Sequence, residues 1–364
     1  MKDRVPLYPG RVKLTPVSGQ TNVYDLVRAD QPQQEGTPLN KASLLTDATA
    51  EELGLSGDPT VNNALFVLSQ MMPAAEVNVY ADVGTTVTMT RGTKVLSGTV
   101  ASNGYATLYP RVLGEWTISY TFKGVQKTKN YILTSTNTVY IYPFEVGATL
   151  EATSWDTIAL VSEAGFATNY WKVGDKKNIS INGVTYAAQI IGFDHDTLTT
   201  ASGGRTRAGI TFQLVDCLKT YYTMDRDDDN SGSWENSNVR YYFRNTLYAQ
   251  LPTALKNVLK SVNKITSNGG DSSALTTTSD QLFLLAEIEV LGLLVKAYAG
   301  EGEQYAWYTA GNSKVKKVNG SNADWWERSP ASGSSRRYCL ITNSGEPSVG
   351  NSSMSYGMSF AFCV

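Results

Sequence analysis

The final stretch of the chain, Asp324 to Val364, constrains the fold more than any other. It opens D-W-W-E-R-S-P and closes Y-G-M-S-F-A-F-C-V, with a run rich in Ser, Arg, Asn and Gly between. Trp325, Trp326 and Pro330 bring large apolar area and a rigid turn, while Phe360, Phe362 and Val364 alternate as a half-buried strand would. The interior has the opposite character. Tyr, Ser, Gly, Asn and Arg together are the palette of binding loops, with aromatic anchors beside adaptable hydrogen-bonding groups. The expectation is a rigid frame holding a polar, sequence-tolerant display surface. Ser334, Ser335, Arg336, Arg337, Tyr338, Asn343, Glu346, Asn351, Ser352, Met354, Ser355 and Tyr356 are expected to line one solvent-facing binding patch. Tyr338, Tyr356 and the two arginines should dominate its affinity, because such anchors carry most interface energy.

At 364 residues the chain exceeds one ordinary core, so two or three domains are expected. Lys+Arg 31 against Asp+Glu 33 gives a net charge of −2, which steers the protein to neither nucleic acid nor an anionic membrane. Gly 31 and Tyr 21 favour a β-rich, turn-rich protein. Three cysteines, Cys217, Cys339 and Cys363, imply no disulfide framework, and only Cys339 and Cys363 could meet, on neighbouring C-terminal strands. The longest apolar run, Leu282 to Val295, is broken by Glu287 and Glu289 and is too short for a bilayer. No secretory leader opens the chain, so the protein is expected to be soluble and made in the cytoplasm.

Residues 1–72 read as a small irregular module. Two alternating runs, Arg11 to Leu14 and Val23 to Val27, flank the turn Ser18-Gly19-Gln20. A polar loop follows from Asp30 to Pro38, then G-T-P-L-N-K-A-S-L-L from Gly36 to Leu45. Helices are predicted near Ala48–Leu53 and Pro59–Ser69, the second burying Val61, Leu65 and Leu68. So little apolar surface suggests docking onto another protein. Pro73, Ala74 and Ala75 make a linker. Residues 76–144 then carry period-2 runs at Val77–Tyr80, Thr86–Thr90, Ala106–Tyr109, Trp116–Phe122, Lys129–Thr134 and Thr138–Tyr142, with turns at Asn103-Gly104 and Lys123-Gly124. That pattern suggests a compact β-sandwich, similar to immunoglobulin-like or transthyretin-like spacers.

The third domain, 147–364, begins with a predicted helix from Ser154 to Gly165. Strands follow at Lys177–Ile181, Val184–Phe193 and Gly209–Val215, the first two joined by an Asn182-Gly183 turn. A helix from Trp234 to about Gln250 is predicted, then another from Pro252 carrying Leu255, Val258, Leu259 and Val262. Thr266 to Ser279 reads as a Ser/Thr/Gly-rich loop. Gln281 to Leu285 reads as a strand that enters a helical turn at Ala286–Leu291.

Several motifs in this domain carry a resemblance. They are Gly232, Trp234, Ser237 and Arg240; L-P-x-x-L-K-x-V from Leu251 to Val258; L-F-L-L-A-E-x-E-V from Leu282 to Val290; Trp325, Trp326, Arg328, Ser329 and Pro330; and the closing Y-G-x-x-x-x-F. Residues 147–364 resemble a C-type-lectin-like domain of prophage tail proteins and bacterial surface proteins. That domain is similar in plan to the formylglycine-generating-enzyme group and to the variable proteins of diversity-generating retroelements. The G-T-P-L-N stretch resembles short N-terminal modules of phage tail, fibre or baseplate proteins. The resemblance implies a multidomain, β-rich fold class: a small irregular N-terminal module, an immunoglobulin-like β-sandwich and a C-terminal α+β C-type-lectin-like domain. It further implies a non-enzymatic bacteriophage tail fibre or receptor-binding protein located in the virion. Its partners would be other tail or baseplate proteins and a host cell-surface protein or glycan receptor for adhesion, and it would be a homotrimer. Retroelement mutagenesis changes adenines and favours codons for Asn, Ser and Tyr, in which the display stretch is rich.

The acidic run, the histidine and the cysteines offer other chemistry. Asp227, Asp229, Ser231 and Gly232 fit the start of a calcium loop, but position twelve is Asn238 where an EF-hand needs Glu. A looser calcium site with Glu235 is the alternative to a solvated loop; no cofactor is otherwise expected. His195, the single histidine, reads as structural or surface. An enzyme of the formylglycine-generating type, using Cys339 and Cys363, is the alternative function. Against it, no basic group beside Cys363 lowers its pKa, and buried core thiols are the simpler reading. The tryptophan pair reads as a fold anchor rather than a sugar platform, with Arg328 fixing a buried carboxylate or carbonyls.

Overall fold

The computed structural model describes residues 5–29, 32–34, 44–71, 74–202 and 204–364. The G-T-P-L-N-K-A-S residues at 36–43, Pro73 and most of the 30–38 loop lie outside the described residues. The protein is β-rich, with 38% strand against 17% helix. Its chain divides into two compact units, Met1–Pro143 and Phe144–Val364.

In the first unit the short strands Val5–Pro6 and Pro32–Gln34 pair, and between them lies the antiparallel pair Val12–Pro16 and Tyr24–Arg28, with Leu14 opposite Leu26. Every position of both strands is exposed, so the ladder is hydrogen-bonded but buries neither face. Helix Asp47–Glu52 is capped by Thr46, whose hydroxyl accepts from the Thr49 amide at 3.2 Å. Helix Val61–Met71 departs from expectation. Its buried residue is Ala64, while Leu65, Phe66 and Leu68 face solvent. The cluster of Leu45, Ala50 and Ala64 is small and covers only one edge of the helix.

Ala75, expected in a linker, is buried and its amide donates to the Pro110 carbonyl at 2.9 Å, and from Val77 onward the alternating runs become strands. One sheet has the order Val125–Leu133, Gly114–Phe122, Thr86–Arg91, Lys94–Thr99. The other has the order Val139–Ile141, Val77–Tyr80, Tyr105–Leu108, with the first pair parallel. Period 2 sorts the side chains: Trp116, Ile118, Tyr120 and Phe122 are buried while their neighbours are not. Lys123 and Gly124 adopt φ of 51° and 72°, the left-handed pair a tight hairpin requires.

In the second unit, Ser154 caps helix Trp155–Glu163 and accepts from the Thr157 amide at 3.1 Å. A five-stranded sheet runs in the order Lys176–Ile181, Val184–Phe193, Ile210–Leu214, Ala361–Cys363, Leu282–Phe283. The C-terminal strand therefore sits between two others. Phe360 to Val364 are all buried, which corrects the half-buried expectation. Phe212 stacks on Phe362 at 5.2 Å, and Trp155 meets both rings edge-on.

The stretch expected to be a loop is a hairpin. Val262–Gly269 pairs with Ser272–Asp280, and the helix expected to run through Val262 ends at Lys256. Its threonines are β-branched and suit a pleated surface, while Gly269 and Gly270, at φ 71° and 59°, turn the chain. Helix Asn238–Tyr242 continues through a π-helical turn, Phe243–Leu247, to Gln250. A three-stranded sheet of Trp325–Pro330, Arg337–Ile341 and Pro347–Asn351 completes the unit.

Candidate functional site

The frame comes from the strand Trp325–Pro330, every residue of which is buried. The indole N–H of Trp325 donates to the Lys314 carbonyl at 2.9 Å, and that of Trp326 to the Tyr222 carbonyl at 2.8 Å. Trp326 is wedged edge-on between Tyr356, at 4.7 Å, and Tyr338, at 6.3 Å. Gly350 makes room for this aromatic group, since a Cβ there would lie 2.5 Å from the Tyr356 ring and 2.9 Å from Trp326. Arg328 holds Glu289 in a two-pronged grip, at 2.5 and 3.1 Å. It also donates to the carbonyls of Leu284, Ile265 and Glu301 and to the Thr266 hydroxyl. Arg328 thus meets both a buried carboxylate and carbonyls, as its motif implied, and the tryptophans are core residues.

The frame carries the display residues on loop 332–337 and on segment 351–356. Asn230, wholly buried, is the bracket between the acidic loop and this face. Its side-chain amide donates to the carbonyls of Ser334, at 2.8 Å, and Arg337, at 2.7 Å. Its side-chain oxygen accepts from the Gly270 amide at 2.7 Å, and its backbone amide donates to the Ser335 carbonyl at 2.8 Å. The Ser352 amide bonds the Arg336 carbonyl, and the Asp225 amide bonds the Ser352 carbonyl. These contacts to the display segments are all to main-chain atoms. Ser335, Arg336, Arg337, Asn351, Met354 and Ser355 remain exposed, with Ser334 and Tyr356 half-buried.

Three of the expected patch properties need correction. Tyr338 is 1% exposed and belongs to the core, because both faces of its strand are covered from that residue onward. Ser352 is 0% exposed, turned inward where its backbone bridges the two segments. Asn343 and Glu346 are exposed but lie in the turn at the far end of the hairpin from the Arg337–Asn351 pair. At a rise of about 3.3 Å per residue, the strand between puts them about 13 Å or more away. The expected single patch is therefore one cluster around Arg336, Arg337 and Asn351, plus a separate turn.

A family model described as a domain of unknown function (DUF6273) matches residues 211–364. No curated protein matches the chain. The matched span takes in all but the first residue of the central strand at Ile210–Leu214, the Asn230 bracket and the whole tryptophan frame.

Within that span the acidic loop bonds partly to itself and partly to the display segment, where the Asp228 carboxylate accepts from the Ser353 hydroxyl at 3.0 Å. The Asp229 carboxylate accepts from the Ser231 amide and hydroxyl, which hold it below its usual range, and the Asp227 amide donates to Asp225. Among the described residues, the carboxylates of Asp227, Asp229 and Glu235 do not come together as a group of three close enough to share one ion. His195 stacks on Tyr305 at 3.8 Å, and its Nε2 lies 3.1 Å from the Glu303 carbonyl. All three thiols are free and buried. Cys363 faces Asp196 and Thr211 on the five-stranded sheet, whereas Cys339 faces Glu287 and Glu327 on the three-stranded one.

Sequence reasoning missed a buried charge network. Lys264 donates to Asp196 and Glu289, each at 2.7 Å, and to the Tyr305 hydroxyl at 3.2 Å. Burial alone would raise the Asp196 carboxyl, but the Lys264 ammonium and His195 hold it well below the carboxylate range. Glu301 shows the reverse: burial outweighs Arg328 and pushes its carboxyl up. The available signal was the pair Glu287 and Glu289 inside an apolar run, since buried carboxylates must find partners. Glu287 indeed accepts from the amides of Val295, Lys296 and Ala297. Glu327 does not follow suit; neither carboxyl oxygen has a hydrogen-bond partner.

Proposed function

We propose that this is a non-enzymatic receptor-binding protein of a bacteriophage tail, whose cluster around Arg336, Arg337 and Asn351 contacts a host cell-surface protein or glycan. On this reading residues 147–364 form a C-type-lectin-like domain, the region 76–144 is an immunoglobulin-like spacer, residues 1–72 attach to the virion, and the assembly is a trimer. The observation that carries the reading is the Asn230 bracket. It holds the display loop by main-chain carbonyls, so the exposed side chains are free to change without disturbing the support. A surface whose backbone is fixed, and whose Arg337 and Asn351 side chains bond each other at 3.3 Å rather than the support, suits recognition of varied targets. Exposed Leu14, Leu26, Leu65, Phe66 and Leu68 support the attachment role, being apolar surface that a docking partner would cover. Nothing favours the thiol-pair enzyme, whose two cysteines stand on different sheets beside different carboxylates.

The test is a set of variants, Ser335→Tyr, Arg336→Ser, Asn351→Tyr and Ser355→Asn, assayed for binding to host cells and for melting temperature. Stability should move by no more than about 0.5 kcal/mol, while the range of strains bound changes. Unaltered binding across the whole set, or general unfolding, would refute the assignment.

A further inference from the structure

We propose that Glu287, Glu327 and Cys339 form a buried site for a divalent transition-metal ion of the zinc class. One carboxylate oxygen from each glutamate and the Cys339 Sγ all lie within 4.8 Å of one another, and all three residues are fully buried. A tetrahedral zinc with bonds of about 2.0–2.3 Å sets its ligands about 3.3–3.8 Å apart, which fits within that span. The second observation is Glu327 itself. Both its carboxyl oxygens are shut off from solvent and bond to nothing in the protein. Leaving one buried polar group unsatisfied is costly, and native structures seldom do so without a reason. A proton alone would not supply the missing partners; a cation held between the three side chains would.

The support around the site is already built. Glu287 is oriented by the three amides of residues 295–297, and its Oε1 accepts from Lys296 alone, leaving lone-pair capacity toward the cluster. Such outer bonds are what fix a metal ligand's direction. Glu327 and Cys339 come from adjacent strands of the three-stranded sheet, and Glu287 opens the short helix Glu287–Leu291. An ion here would clasp that helix to the sheet beneath the display face. The thiol selects the ion: calcium and magnesium take oxygen ligands, whereas zinc accepts sulfur and carboxylate together. Binding would release the Cys339 thiol proton to solvent. The site stands independently of the receptor-binding reading.

The full-length protein, produced in zinc-supplemented medium and desalted, should carry about one zinc per chain by mass spectrometry of the metal. Glu327→Gln and Cys339→Ser should lose it, and Cys217→Ser should keep it. Cobalt-loaded wild type and Cys217→Ser should show a thiolate-to-cobalt charge-transfer band that Cys339→Ser lacks. Refolding wild type with zinc rather than chelator should raise its melting temperature, with no such rise for Glu327→Gln. A zinc-free wild type overturns the proposal, whatever the variants do. So does full zinc retention in Glu327→Gln, or a Glu327→Leu variant that melts above wild type in zinc, which is the behaviour of a merely stranded carboxyl.

Discussion

Trp326 is enclosed by Tyr338 and Tyr356, and its N–H is spent on the Tyr222 carbonyl. Trp326→Ala should therefore cost about 3–5 kcal/mol, measured by denaturant unfolding. Weaker binding at an unchanged melting temperature would instead mark the ring as a ligand platform. Asp196 gives a pH prediction with a definite sign. Its carboxyl is held well below the usual value by Lys264 and His195 against the opposing effect of burial. A depressed folded pKa means stability that is present above the unfolded value and lost as pH falls through the folded one. Asp196→Asn should accordingly be less stable than wild type at pH 7. The gap should persist down to the ordinary Asp range near 3.8 and close only below it, as acid unfolding curves of the two proteins would report. A gap already closed at pH 5 would contradict the arrangement of charges described.

Among elements, the loop from Asp225 to Gly232 matters less for its carboxylates than for Asn230. Removing that side chain takes away the partner of the Ser334 carbonyl and of the Gly270 amide, and leaves the Arg337 carbonyl with the Ala331 amide alone. Asn230→Ala should lower stability by about 1–3 kcal/mol. Hydrogen exchange should show the loss of protection concentrated in 332–337 and at Gly270; a uniform loss across the second unit would argue against a bracket. The Val262–Gly269 and Ser272–Asp280 hairpin supports the same point from the other side. A Cβ on Gly269 would fall 1.7 Å from the Asn230 carbonyl oxygen, so its turn and the bracket are fitted to each other.

For the whole molecule, the division at Pro143 and Phe144 predicts that residues 144–364 fold without the rest. Expressed alone, they should unfold in one cooperative transition and retain the host binding of the full chain. Deleting residues 1–72 should leave a folded protein that is missing from virus particles. A truncated chain that still assembles would refute the attachment role. The exposed hairpin Val12–Pro16 and Tyr24–Arg28 makes that segment the natural place for a partner to supply the missing core.

Local signals in the sequence were sufficient for most elements. Strands at Val77–Tyr80 and Val184–Phe193 follow from period-2 runs, the helix at Trp155 from its Ser154 cap, and the hairpin at 182–183 from Asn-Gly. Each depends on residues a few positions apart, which is the range over which backbone geometry acts. The display palette was legible for the same reason, because composition alone marks a polar stretch. Which of those residues face outward was not. Tyr338 turns inward because its strand is covered on both sides, and Ser352 because its backbone bridges Arg336 and Asp225, and the sequence states neither pairing. The hairpin at 262–280 lacks the apolar alternation of an amphipathic strand, so only its partner strand reveals it. Lys264 meets Asp196 across 68 positions and Glu289 across 25, and Glu327 is left alone among carboxylates from other elements. Tertiary packing decided those environments, since low dielectric and exclusion of water are properties of the assembled core and not of any local stretch.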